Sequence, residues 1–315
     1  MKFHLDYQPQ KSPFAIDQNH KIMMMGSCFA ENIGGMLREH RFNVNVNPSG
    51  IMFNPLSIAL ALEKWISGEK INADHFIKRG DEYFSFLHHS SVKAGSKQEL
   101  EKALEQINVR AGEEIKKTDF LIITFGSAHY YYHTELGTSV ANCHKQPGNL
   151  FEKRLLKVEE IVKDYSVLIE SLQKANPKLK IIFTVSPVKY LRDGVVENNL
   201  SKSILILAVH ELCGKYKEIC FYFPAYELVN DDLRDYRFYK EDLAHPNEQA
   251  IKYIWEKFSE TYFHLQTREL NVLMGKLNLA ENHRPLNNNP AEKTKLEKHL
   301  EDLKEQIRKL NSGLI

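Results

Sequence analysis

Cysteine is scarce in this chain: Cys28, Cys143, Cys213 and Cys220 are the only four among 315 residues. No two of them stand in a CxxC pair, which excludes a zinc ribbon and a thioredoxin-type redox motif. A disulfide scaffold is not expected at this length. Cys213 and Cys220 fall in an apolar helical stretch and an apolar strand, where thiols are commonly buried. Net charge is nearly absent as well. Lys and Arg number 42 against 41 Asp and Glu, a formal charge of +1. That balance argues against nucleic-acid binding by bulk electrostatics, which needs a strongly basic surface. Long apolar runs are missing too. None approaches the roughly 20 residues that span a bilayer, and residues 1–19 lack the apolar core of a signal peptide. Neither a P-loop nor a GxGxxG fingerprint occurs. The expectation is a soluble, cytoplasmic protein that uses no cofactor and binds neither nucleic acid nor membrane.

What is present is globular in kind, with 43% hydrophobic and 26% charged residues. Four short apolar runs have the near-continuous character of buried parallel strands: residues 22–25, 120–125, 180–185 and 219–223. A weaker one covers residues 42–46. Helical stretches alternate with them at residues 30–39, 55–66, 97–117, 150–175, 199–216 and 247–263. Asn54 and Pro55 form an N-cap and first-turn pair for the second helix. The alternation predicts an α/β fold, an open and mostly parallel sheet with helices on both faces. Ligands of such sheets bind beyond the carboxyl ends of the strands. Residues 1–263 read as one catalytic domain and residues 264–315 as a helical extension. Within the extension, residues 283–290 (HRPLNNNP) read as a linker, and Asn289, Pro290 and Glu292 as a helix start. Leu296, Leu300, Leu303, Ile307 and Leu310 then form a short heptad seam. The seam suits packing on the chain's own body, or a homodimer through this helix.

Two local patterns carry chemistry. In MMMGSCFAEN, residues 23–32, an apolar strand ends at Gly26, a nucleophilic Ser27 or Cys28 follows, and a helix begins. Glycine permits the tight turn. A side chain at a helix N-terminus meets free N–H groups and the positive end of the dipole, which stabilise an anion. In EDLAHPN, residues 241–247, Asp242 precedes His245 by three positions just before a helix. Asp242 can orient the imidazole, and His245 can relay a proton. The chain order is nucleophile, Asp, His.

Residues 26–30 spell GSCFA, and the chain resembles the GSCFA family, itself similar to the SGNH/GDSL hydrolases. Further segments resemble that family: NPSGIMFNP (47–55), TVSPV (184–188), YFPAYE (222–227) and DLRDYRFY (232–239). The resemblance covers about residues 20–263. It implies a flavodoxin-like three-layer α/β/α fold and ester hydrolysis or acyl transfer on an acylated carbohydrate or small metabolite. Aligning the glycine of the first SGNH block places Cys28 on the nucleophile, with Ser27 as the alternative one residue earlier. Asp242 and His245 fall on the DxxH block. Gly50 is the natural second-block oxyanion donor. In the third block Ala128 stands where the asparagine is expected, after Gly126 and Ser127. Either the Cys28 and Gly50 N–H groups then suffice, or Ser127 or Asn54 is the replacement donor.

Other polar residues are placed over the same edge. His129 and His133 enclose three tyrosines directly after a strand, in no clear helix, so substrate lining is expected there and a metal is not. His88 and His89 invite the same metal reading and the same answer. Arg192 reads as a surface-loop arginine or as a contact for a carboxylate on substrate. Arg234 and Arg237 read foremost as braces of the DxxH loop through Asp231, Asp232 or Asp235, and otherwise as substrate contacts. Lys153 and Arg154, among acidic neighbours, are expected on a solvated helix face. A binding module on a degenerate hydrolase fold is the rival to the enzyme reading, because the third-block asparagine is missing and cysteine replaces serine.

Overall fold

The computed structural model describes residues 5–282 and 290–311. Its centre is a five-stranded sheet of β1 (Lys21–Gly26), β2 (Asn43–Val46), β3 (Phe120–Phe125), β4 (Lys180–Val185) and β5 (Cys220–Tyr222). The order across the sheet is β5-β4-β3-β1-β2, with every pair parallel. That is the flavodoxin-like 2-1-3-4-5 order, so the expected doubly wound α/β fold is the one adopted.

Side chains alternate across the sheet with the period of a strand. Met23, Leu121 and Ile181 stand in one row, Met25, Ile123 and Phe183 in another. These rows pack on the layer of α2 (Pro55–Ser67), α3 (Lys97–Ile115), α4 (Val158–Ala175) and α5 (Val195–Lys215). The intervening Ile22, Met24, Ile122 and Ile182 pack on the other face, against α1 (Cys28–Glu39) and α6 (Glu248–Tyr262). Burial on both faces explains why these strands read as unbroken apolar runs.

Two small antiparallel sheets lie outside this frame. One pairs Phe76–Arg79, Glu82–Ser85 and Lys93–Ala94. The other pairs Thr138–Val140, His129–His133 and Phe151–Leu155. The second corrects the helix expected over residues 150–175. Phe151 packs on Phe86 at 5.8 Å and His133 at 5.1 Å, and Leu156 N–H donates to Ala128 O at 3.0 Å. These contacts hold the segment extended, and α4 starts at Val158, where Glu160 accepts the Lys157 N–H at 2.7 Å. Lys153 and Arg154 are therefore strand residues. Lys153 pairs with Asp193, while the Arg154 guanidinium lies 3.8 Å over the Tyr132 ring.

Beyond the sheet, α7 (Leu265–Asn282) and α8 (Pro290–Asn311) form a helical pair. Leu303 and Ile307 of the heptad seam are buried against Leu270, Met274 and Leu277 of α7. The seam is thus occupied within the chain. Residues 283–289 of the expected linker, with Asn289 of the expected cap, lie outside the described residues, and Pro290 opens α8. Gln18 donates to Asn271 at 3.0 Å and Asn278 to Glu39 O at 2.7 Å, tying α7 to the main body. Deleting residues 290–315 bares the apolar face of α7. The expected result, read by light scattering, is a monomeric parent and a truncated chain that self-associates. A parent dimer that dissociates on truncation would contradict this packing. Among the described residues no helix is long and apolar enough to cross a membrane.

Candidate active site

The turn after β1 is built around a glycine that no other residue can replace. Gly26 has φ 143°, and a Cβ there would lie 2.3 Å from Thr124 O of neighbouring β3. Its N–H donates to Asn47 Oδ1 at 2.9 Å, and the Asn47 N–H returns to Met24 O at 2.8 Å. Asn47 Nδ2 also reaches Glu31 Oε1 at 3.3 Å. Asn47 therefore straps strand, turn and helix together. Within the NPSGIMFNP segment, its place before a proline at a strand end, a turn signal, is the one local mark of this role.

Ser27 is the N-cap of α1. It is 1% exposed, its Oγ accepts the Phe29 N–H at 3.3 Å, and its hydroxyl donates to Ser186 Oγ at 3.0 Å. Cys28 is the first residue of the helix and is half-buried. Burial raises the thiol pKa and the Glu31 carboxylate adds to that, while the N–H groups of Cys28 and Phe29 and the Lys240 ammonium oppose it. The net shift is upward, so Cys28 rests as a thiol and needs a base to ionise it.

A candidate base, His245, stands on the loop before α6. His245 Nδ1 is 2.7 Å from Asp242 Oδ2, which leaves Nε2 to exchange protons. Asp242 Oδ1 accepts the backbone N–H groups of Ala244 and His245, each at 2.9 Å. These backbone bonds, followed by the His245 ring, pull the carboxyl pKa down to about 2, so it is ionised at neutral pH. Asn247 caps α6 through Ala250 N–H and anchors the loop through Arg237 O at 2.7 Å.

Both halves meet at the carboxyl edge of the sheet, on the segment that follows β4. Ser186 touches Ser27 there, and Lys189 N–H donates to Ala244 O at 3.0 Å. Lys240, whose charge acts on Cys28, donates its N–H to His245 O at 2.8 Å. No hydrogen bond joins Cys28 Sγ to the His245 ring. Nucleophile–base contacts of this kind commonly tighten only in the substrate complex.

The expected oxyanion donors are engaged elsewhere. Gly50 N–H donates to Asn47 O at 2.8 Å, and a Cβ at Gly50 would lie 2.4 Å from the His89 Cβ, so it is a turn glycine. Asn54 caps α2, with Oδ1 accepting the Ser57 N–H and Nδ2 donating to Ser57 Oγ, both at 2.9 Å. The N–H groups of Gly126 and Ser127 both donate to Phe53 O, and Ser127 Oγ bonds Ser201 Oγ at 3.2 Å. What remains is the Cys28 N–H at the helix N-terminus; the Phe29 N–H also faces the thiol but is held by Ser27 Oγ.

The outlying candidates are placed less centrally. His129 Nε2 is 3.8 Å from Glu197, and burial, with Lys153 beside it, lowers its pKa. Arg192 is exposed, in a turn of residues 191–193, and its charge acts on Cys143, whose thiol burial pushes up to about 11. The Arg234 and Arg237 side chains pair with no carboxylate among the described residues, so the expected ion-pair bracing is not made; the Arg237 guanidinium lies over Phe238, and only its backbone O holds the loop, through Asn247. Asp232 accepts from Tyr7 N–H and Tyr253 Oη, and Asp235 caps Arg237 N–H. His129 and His133 stand four apart on a strand, roughly 13 Å of chain, too far to share a metal. Among the described residues no three His, Cys, Asp or Glu are grouped to hold a metal.

The GSCFA family model matches residues 21–258. No match is found among curated proteins. The chain is similar to three solved esterases at low identity. A carbohydrate esterase family 3 protein from Talaromyces cellulolyticus aligns at 10% identity over 82% of this chain and 99% of its own, TM-score 0.38. An acetyl xylan esterase from the rumen bacterium Butyrivibrio proteoclasticus aligns at 12% over 85% and 66%, TM-score 0.39. A family two carbohydrate esterase from Clostridium thermocellum aligns at 11% over 82% and 66%, TM-score 0.36.

Proposed function

The chain belongs to the GSCFA family, and on that premise we propose that it cleaves or transfers an acyl group through a Cys28–His245–Asp242 site. The supporting observation is placement: a cysteine at the first turn of α1 and an Asp–His pair share the carboxyl edge of a doubly wound sheet. Nε2 of His245 takes the thiol proton as Cys28 Sγ attacks the acyl carbonyl. The tetrahedral oxyanion meets the Cys28 N–H at the positive end of α1. Collapse to a thioester expels the alcohol, which receives its proton from His245. Water or a second alcohol then attacks the thioester, so hydrolysis and acyl transfer share every step but the last. The substrate class is an acyl ester, most simply the acetyl ester of a carbohydrate or small metabolite.

A panel of short-chain aryl esters and acetylated sugars tests this reading. Ser27→Ala separates the two candidate nucleophiles. It removes a buried cap, so a stability loss of about 1 kcal/mol is expected, with most turnover retained. Loss of turnover in a folded Ser27→Ala protein would move the nucleophile to Ser27.

The engaged donors at Gly50, Asn54, Gly126 and Ser127 favour a second reading, a ligand-binding module without turnover. Acetylated-sugar binding in calorimetry, with no product released by the parent, would select it.

A further inference from the structure

Lys202 of α5 is 1% exposed and has no part in the steps above. Its Nζ donates to Gly126 O and, at 2.7 Å, to Ser186 O. Those residues directly follow β3 and β4, adjacent parallel strands. Ser186 N–H donates to Phe125 O at 2.7 Å, and Ser186 Oγ accepts the Ser27 hydroxyl. Lys202 is thus linked through Ser186 to Ser27, the residue before Cys28. The half-buried Tyr190 ring is 5.3 Å from Nζ, and its hydroxyl sits against Gly126.

Among the described residues no carboxylate pairs with this lysine. An apolar side chain of the same length would fill the space without the cost of desolvating a charge. Burial pulls the Lys202 pKa down to about 7, and a negative charge on Cys28 raises it. By linkage, a protonated Lys202 favours the Cys28 thiolate in turn.

We infer that Lys202 is a positioning residue of the Cys28 site, clamping the strand ends behind the nucleophile turn and stabilising the thiolate with its buried charge. This rests on Cys28 being the reactive group of the site, and it deepens that reading without depending on the ester.

Iodoacetamide alkylation tests it, with the Cys28 peptide quantified by mass spectrometry across a pH series. In Lys202→Met, alkylation of Cys28 near pH 6.5 is expected to slow about tenfold, one pKa unit, while Cys143 alkylates as in the parent. A Lys202→Met protein that melts lower yet alkylates Cys28 along the parent profile would reduce Lys202 to a structural clamp and overturn the inference. Should that variant not fold, lysine NMR titration of Cys28→Asp and Cys28→Ala replaces it. The fixed carboxylate is expected to raise the Lys202 midpoint above that of the alanine variant; equal midpoints would overturn the inference. Neither readout needs turnover, so a parent inactive on every ester would sink the hydrolase proposal and leave this result standing.

Discussion

Cys28→Ala is expected to lower ester turnover by at least about a thousandfold, because it removes the atom that forms the covalent bond. His245→Ala is expected to cost about a hundred- to ten-thousandfold, the range of a general acid–base group. The thiol pKa is raised by burial, so loss of the base is felt across neutral pH. The two losses should not add, since the residues act on the same proton. A double variant no worse than Cys28→Ala is therefore part of the expected result. Steady-state rates on one aryl ester, with circular dichroism to confirm folding, measure all three. Retention of more than a tenth of parent turnover in folded Cys28→Ala would remove Cys28 as the nucleophile.

Acid is expected to destabilise the fold through His88. This residue is 4% exposed, with Nδ1 3.1 Å from Ser85 Oγ. Burial, with His144, Lys64 and His75 nearby, lowers its pKa to about 3. Above the unfolded value of about 6.5 the ring is neutral in both states and exacts no penalty. Below it the unfolded chain binds a proton that the folded chain refuses. Stability therefore falls by about 1.4 kcal/mol per pH unit between those two values, close to 3 kcal/mol by pH 4.5. His144 and His75 are lowered in the same direction, again chiefly by burial, and steepen the loss. Urea midpoints at pH 7.5 and 4.5 measure it in the parent and in His88→Gln. The parent should lose markedly more than the variant; equal losses would contradict the assignment to His88.

The parts legible in the sequence are those whose cause is local. Phe120–Phe125 and Lys180–Val185 were readable to the residue, because a strand buried on both faces leaves an unbroken apolar run. The Gly26 turn and the Asp242–His245 pair were readable for the same reason, each being a few residues with its own geometry. Phe151–Leu155 was not. Its charges suit a helix face, and only pairing with His129–His133 makes it a strand. The oxyanion donors failed on longer range still. Whether Gly126 N–H is free depends on Phe53 O, more than 70 residues away in sequence. Lys202 sits in a helix among Ser201 and Ser203 and reads as a solvated lysine until the fold brings Gly126 O and Ser186 O onto it. The heptad seam shows the same limit: its pattern is plain, but its partner, α7, is chosen by the fold.

In the proposed reaction Cys28 carries the acyl group. The most direct measurement mixes the parent with excess aryl acetate, quenches in acid during the first turnover, and maps the acetyl group by peptide mass spectrometry. One acetyl group on the Cys28 peptide, absent from Cys28→Ala and cleared on longer incubation, is the predicted result. Ester turnover with an unmodified Cys28, or an acetyl group on Ser27, would contradict it.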